Sequence, residues 1–190
     1  VTLYPLHLRG TVVTLREFDR TDTQSAHRIV GDPRVTDYLS FDTRSLEQTE
    51  AMITGVLERA RHEPRGEFYL AVDRGGSLIG FARLGLAGVQ AAKLGYAIHA
   101  DQWGHGYATD AVRTIVEFGF GVLGLRRISA AIGPDNLPSI AVVERLGFAR
   151  EGRLRDHVYT NGAWRDSILY SLLTHEWKRL VEQQPDAGKG

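Results

Sequence analysis

Gly104 and Gly106 stand one residue apart in the run Asp101-Gln102-Trp103-Gly104-His105-Gly106. Before it, Leu94, Tyr96 and Ile98 alternate with Gly95, Ala97 and His99, the period of a strand. After it, Val112, Ile115 and Val116 share a helical stripe that Phe118 to Leu123 continue. A glycine-bearing turn thus leads from a buried strand into the first turn of a helix. The first backbone N–H groups of a helix have no partner within it, and its dipole is positive there. Glycine removes the side chains that would hold a ligand away. Trp103, Gly104, His105, Gly106, Tyr107, Ala108 and Thr109 therefore read as an anion site, suited to a phosphate or pyrophosphate. No Gly-Lys-Ser or Gly-Lys-Thr follows, and the third glycine of a G-x-G-x-x-G pattern would fall on Thr109.

The elements that position this turn can be read in order. Val1 to Gly10 is a lead-in, and Thr11 to Arg16 is a first strand rich in β-branched residues. Asp19 to Asp22 supplies caps for a short helix ending near Gly31-Asp32-Pro33. Ser45-Leu46-Glu47-Gln48 matches a capping box and opens a helix to about Arg61, with Met52, Ile53, Val56, Leu57 and Ala60 buried. Glu67–Asp73 and Ser77–Leu84 are strands joined by Arg74-Gly75-Gly76, and Leu86 to Ala92 is a loop. Arg127–Ile132 is a strand. Pro138 suits the first turn of a helix that runs to Leu146 and stops at Gly147. Phe148–Tyr159 and Trp164–Leu173 form a hairpin about Asn161-Gly162, and Thr174–Gln183 is a terminal helix. Pro185 to Gly190 should be disordered. The fold class is α/β (α+β): one domain over residues 1–183, with a central mixed, mostly antiparallel sheet flanked by helices.

Composition narrows the function. The 190 residues carry a formal net charge of +0, which argues against a binder held by nucleic-acid phosphates. The chain has no cysteine, so disulfides, thiolate metal sites and a cysteine nucleophile are excluded. The seven histidines form no H-x-x-x-H pair, so no metal site is expected. No apolar run reaches membrane-spanning length, and the reading is a cytoplasmic protein with no membrane partner.

The run Trp103-Gly104-His105-Gly106-Tyr107-Ala108-Thr109 resembles the pyrophosphate loop of the GNAT N-acyltransferases, Q/R-x-x-G-x-G/A. Trp in the first place matches the Rim-type branch, named for the ribosomal-protein alanine N-acetyltransferases. A second segment, Asn136-Leu137-Pro138-Ser139 through Leu146-Gly147-Phe148, resembles the family's other shared motif, although on local grounds it also reads as an ordinary capped helix. The resemblance spans essentially the whole chain. It implies acetyl transfer from acetyl-CoA to a primary amine, on a protein N-terminus or a small molecule, by direct attack in a ternary complex. A CoA-binding or sensing module without turnover is the alternative, followed by a binder of ATP or a dinucleotide. Dimers are common in the family.

The resemblance also assigns roles. A backbone N–H among Ala97, Ile98 and His99 would polarise the thioester carbonyl. Asn136 would hydrogen-bond the pantetheine arm, and Val142 and Arg145 fall on the cofactor side of the same helix. Many relatives protonate the leaving thiolate with a Tyr that here is Val143, so Ser139 takes that role. The usual acidic base position is Lys93, which leaves His99, Asp156, His157 and Asp166 as candidates, His99 being named first for its place on the central strand. Tyr38, Phe41, Tyr159 and Trp164 could wall an acceptor pocket. Asp42, Glu47 and Glu50 could hold a cationic amine.

Overall fold

A computed structural model describes residues 3–183. The expected disorder of Pro185 to Gly190 lies outside the described residues. Eight strands form one sheet in the order β1-β2-β3-β4-β5-β6-β8-β7. They are β1 His7–Arg9, β2 Thr14–Arg16, β3 Glu67–Arg74, β4 Ser77–Leu86, β5 Ala91–Ile98, β6 Arg127–Ile132, β7 Ala149–Thr160 and β8 Ala163–Leu173. Only β5 and β6 pair in parallel, so the sheet is mixed and mostly antiparallel, as expected.

Among the described residues six α-helices flank it: α1 Thr23–Val30, α2 Pro33–Thr36, α3 Leu46–Ala60, α4 Tyr107–Gly121, α5 Leu137–Arg145 and α6 Thr174–Glu182. The capping box at Ser45 forms, each partner satisfying the other's backbone N–H. On one face of the sheet α4 and α5 pack through Val112, Ile115, Val116 and Val143 against Leu84, Ile128 and Leu172. On the other face α1 and α3 pack through Ile29, Ile53 and Val56 against Tyr69, Ala71, Phe81 and Ala97. The alternation along β5 assigns its even-numbered residues to the α4–α5 side and its odd-numbered ones to the α3 side.

Four segments differ from the sequence reading. The first strand starts at Thr14 and not at Thr11, because the N–H groups of Thr11, Val12 and Val13 go to the Asp110 carboxylate. The lead-in contains β1, which pairs with β2. The loop of Leu86 to Ala92 shrinks to residues 87–90, because β4 runs on to Leu86 and β5 starts at Ala91. Asp32-Pro33 does not only end a helix: the Asp32 side chain accepts from the Arg34 N–H and caps α2.

Candidate active site

The turn before α4 leaves its donors bare. Gly106 is the N-cap of α4 at φ +78°, with no side-chain cap, and Gly104 lies at φ +79°. Both conformations favour glycine. The first bond back into the turn is Asp110 N–H to the Gly106 carbonyl, at 3.1 Å. The N–H groups of Tyr107, Ala108 and Thr109 precede it and have no intrahelical acceptor. A Cβ built on Gly104 or Gly106 would meet no protein atom within 4 Å, so the space over the turn is open. The His105 ring stacks on Tyr107 at 5.4 Å, and the Arg74 guanidinium lies 4.9 Å from the Tyr107 ring centroid. Arg145, from the end of α5, reaches Thr109 Oγ1 at 3.4 Å. Two cations thus border the turn.

Behind it, Asp110 anchors the helix. Its carboxylate accepts the N–H groups of Thr11, Val12 and Val13 at 3.0, 2.8 and 3.0 Å. Burial alone would raise this carboxyl, but the backbone donors of Val12, Thr11 and Val13 outweigh it and hold it below the usual range. Sequence reasoning missed this residue, because its partners lie about a hundred positions away.

Beside the turn the sheet splits. β5 pairs with β6 only at Ala91–Lys93 against Arg127–Ser129. Beyond that β5 continues with β4 and β6 with β8. The His99 N–H is taken by the Ile79 carbonyl at 2.8 Å. Ladder bonds alternate along an antiparallel pair, so the Ile98 N–H points the other way, into the split. The Ala97 N–H, like that of His99, faces β4. The Ile98 carbonyl, on the split side, accepts the Trp103 indole N–H at 2.8 Å. Tyr96 crosses the split, its hydroxyl donating to the Ser139 carbonyl at 3.0 Å, and burial pushes that phenol up to about 12. Tyr96 was legible as a strand residue, but not as a tie to α5.

At α5 the Asn136 Oδ1 accepts the Ser139 N–H at 3.2 Å, a helix cap that leaves its amide nitrogen to donate elsewhere. Ser139 is half-buried. Val142 is in the core, and Val143 is fully buried with no proton to give.

The base candidates separate. His99 Nδ1 accepts the Asp101 N–H at 3.1 Å, so the neutral ring carries its proton on Nε2 and has no lone pair left. That arrangement argues against His99 as a base. Asp166 is tied down: the Asp156 N–H and the Arg153 guanidinium both bond to it and hold its carboxyl below the usual range. Asp156 is exposed. His157 Nδ1 lies 3.0 Å from Ser167 Oγ, and Ser167 is buried.

Ser167 lines a cleft of about 530 Å³ between residues 37–40, the end of β6 and the β7–β8 hairpin, which also takes in Tyr38, Asn136 and Trp164. Tyr159 packs edge-on against Trp164, and Phe41 lies under the Arg44 guanidinium; neither lines this cleft. Asp42 accepts the Asn161 N–H at 2.8 Å, while Glu47 and Glu50 are exposed on α3. Arg165 donates to the Asp37 and Leu39 carbonyls and fixes the rim. Among the described residues no group of His, Asp and Glu could hold a metal, and no helix is long and apolar enough to cross a membrane.

An open turn of unpaired N–H donors at a helix N-terminus, a split sheet beside it and a cleft beyond are the parts a transferase needs to move a group from a phosphate-bearing donor to a second substrate. Residues 13–149 match the Acetyltransferase (GNAT) domain family. The chain is 30% identical over 168 residues to "Uncharacterized N-acetyltransferase p20" of Bacillus licheniformis, covering 87% of this chain and 94% of the relative. A shorter match, 33% over 87 residues (46% of this chain, 45% of the relative), is to the [Ribosomal protein uS5]-alanine N-acetyltransferase of Escherichia coli. Mycobacterium smegmatis RimJ, solved in complex with CoA-disulfide, has the same fold at TM-score 0.82 and 24% identity, over 95% of each chain. The chain belongs to the GNAT acetyltransferase family, as an acyl-CoA-dependent N-acetyltransferase.

Proposed function

We propose that this chain moves an acetyl group from acetyl-CoA to a primary amine, most favourably an α-amine, by direct attack in a ternary complex. The observation that carries the reading is the uncapped α4 N-terminus opening beside the β5–β6 split. The diphosphate sits on the N–H groups of residues 104–109, with Arg145 and Arg74 as nearby cations. The pantetheine arm runs along β5 in the split, where the amide nitrogen of Asn136 can donate to it. The Ile98 N–H, held rigid by the strand, polarises the thioester carbonyl.

The amine nitrogen attacks the carbonyl carbon, the C–S bond breaks, and the thiolate leaves toward Ser139. Ser139 Oγ stabilises that sulfur with a hydrogen bond, and Val143 can take no part. The amine's proton passes through Ser167 Oγ to His157, the candidate that remains joined to the cleft. This is a long route, so an amine already partly neutral is favoured. An α-amine near pKa 8 meets that condition at neutral pH, and a lysine-like amine near 10.4 does not. A panel of peptides and small amines with acetyl-CoA, read by free thiol, tests the proposal. Thiol release only when both substrates are present supports it. Tight acetyl-CoA binding with no release across the panel would instead indicate a binding module without turnover.

A further inference from the structure

Lys93 occupies the place where an acid was expected, and its surroundings are cationic as well. It is exposed on β5, on the α3 side of the sheet, and makes no ion pair among the described residues. It lines a second cleft of about 380 Å³ with Arg59, His62, Glu67 and Arg83. Arg59 and Arg83 grip opposite oxygens of Glu67 at 2.6 and 2.7 Å. One carboxylate thus serves two guanidiniums, and Lys93 in the same cleft is left without a counter-ion. Gly95 follows Lys93 on the same face of β5 with open space where a Cβ would stand, so no β5 side chain walls this cleft off from the start of the split, and Ala97 beyond it is buried against the α1–α3 layer.

We infer that this second cleft receives an anionic group of the acceptor, so that the preferred substrate is an amine carrying a carboxylate or phosphate some distance from the nitrogen that reacts. The inference rests on the acetyl-transfer reading for the position of the reacting amine. In that reading the thioester carbonyl lies at the Ile98 N–H, which faces the split. Lys93 is five residues back along β5, or about 17 Å. An extended peptide covers that distance in about five residues. The anion therefore belongs at the fifth or sixth residue of an N-terminal peptide, while the α-amine reaches the split. The same cations disfavour a second ammonium in the acceptor, so a lysine at that position is rejected.

The test uses the full chain, acetyl-CoA and three peptides, Ala-Gly-Gly-Gly-Gly-Asp, Ala-Gly-Gly-Gly-Gly-Asn and Ala-Gly-Gly-Gly-Gly-Lys, each amidated at its C-terminus. The Asp peptide should exceed the Asn peptide at least fivefold in kcat/KM, with the Lys peptide lowest. Lys93→Gln should bring the first two within twofold of each other, and Lys93→Glu should reverse the order. Calorimetry of the same peptides with CoA bound reads the cleft without turnover. A preference for the Asp peptide in binding, with no thiol released, would sink the transfer reading and keep the cleft. Equal binding and equal rates for Asp and Asn peptides in the unmodified protein, or a preference that survives Lys93→Gln, would overturn the inference.

Discussion

Two helices in this protein begin beside the split in the sheet, and they begin differently. α5 closes its own first turn, with Asn136 Oδ1 on the Ser139 N–H at 3.2 Å. α4 does not, since Gly106 offers no side chain and sits at φ +78°. The dipole and the orphan donors are the same at both ends in kind. What differs is whether the chain satisfies them itself. A capped terminus can lend only a leftover donor; an uncapped one under open space keeps its donors free for a ligand. The two cations beside α4, Arg145 and Arg74, follow the same logic, since an anion is wanted there.

The largest effect should come from filling the open terminus. Gly106→Val puts a β-branched side chain at a left-handed φ, at a cost of about 1–2 kcal/mol in stability. It also fills the space the diphosphate would use. CoA affinity should fall more than tenfold, at least about 1.4 kcal/mol, measured by calorimetry on the folded variant. An unchanged affinity would mean that the donors of α4 are not the anion site, and the contrast between the helices would lose its meaning.

Asp110→Asn comes next. The new amide turns a donor toward backbone N–H groups that need acceptors, and the Thr11–Val13 segment loses its anchor. A loss of about 2 kcal/mol in denaturant unfolding is expected. The sign with pH is fixed by the direction of the shift. Asp110 is held below its usual range in the folded state, so its contribution is complete above the unfolded carboxyl pKa and fades as pH falls through the folded one. The stability difference between native protein and variant should therefore shrink on acidification. A difference that is flat with pH would remove Asp110 from the support of the open terminus.

The contrast also explains what the sequence could reveal. The α4 terminus is built from backbone and glycine within a few residues, and so its type and its position were legible, down to the strand before it and the helix after it. The Ser45 capping box and the Asn161-Gly162 hairpin are local in the same way. The larger cleft is assembled from Tyr38, Asn136, Trp164 and Ser167, which topology alone brings together. His99 illustrates the limit: residue type and neighbourhood suggested a base, but whether its lone pair is free depends on the Asp101 N–H. Asp110 was hidden by sequence distance, and β1 by its three-residue length.

Ser139→Ala separates chemistry from binding at the capped helix. The Asn136 cap uses the Ser139 backbone, which alanine keeps, so stability and CoA affinity should hold. Turnover should fall about tenfold, or about 1.4 kcal/mol in the barrier, with KM little changed. Turnover equal to that of the native enzyme would make Ser139 only a residue of the first helical turn. His99→Ala should lower turnover less than threefold; a loss of a hundredfold would return the base role to it.

The smallest effects sharpen the comparison most, because Asn136 could serve both the helix and the cofactor. Asn136→Ala removes cap and amide together and should cost about 1 kcal/mol in stability. Asn136→Asp keeps an oxygen on the Ser139 N–H and favours the positive helix end, yet has no N–H to offer a pantetheine carbonyl. Its stability should match or slightly exceed that of the native protein, while CoA binds a few-fold more weakly. If the Asp variant binds CoA as tightly as the native chain, the leftover donor is idle and α5 is structural at this end. If it loses stability as the Ala variant does, the cap itself is misassigned. The first result would leave the open α4 terminus as the only one of the two proposed to meet the cofactor.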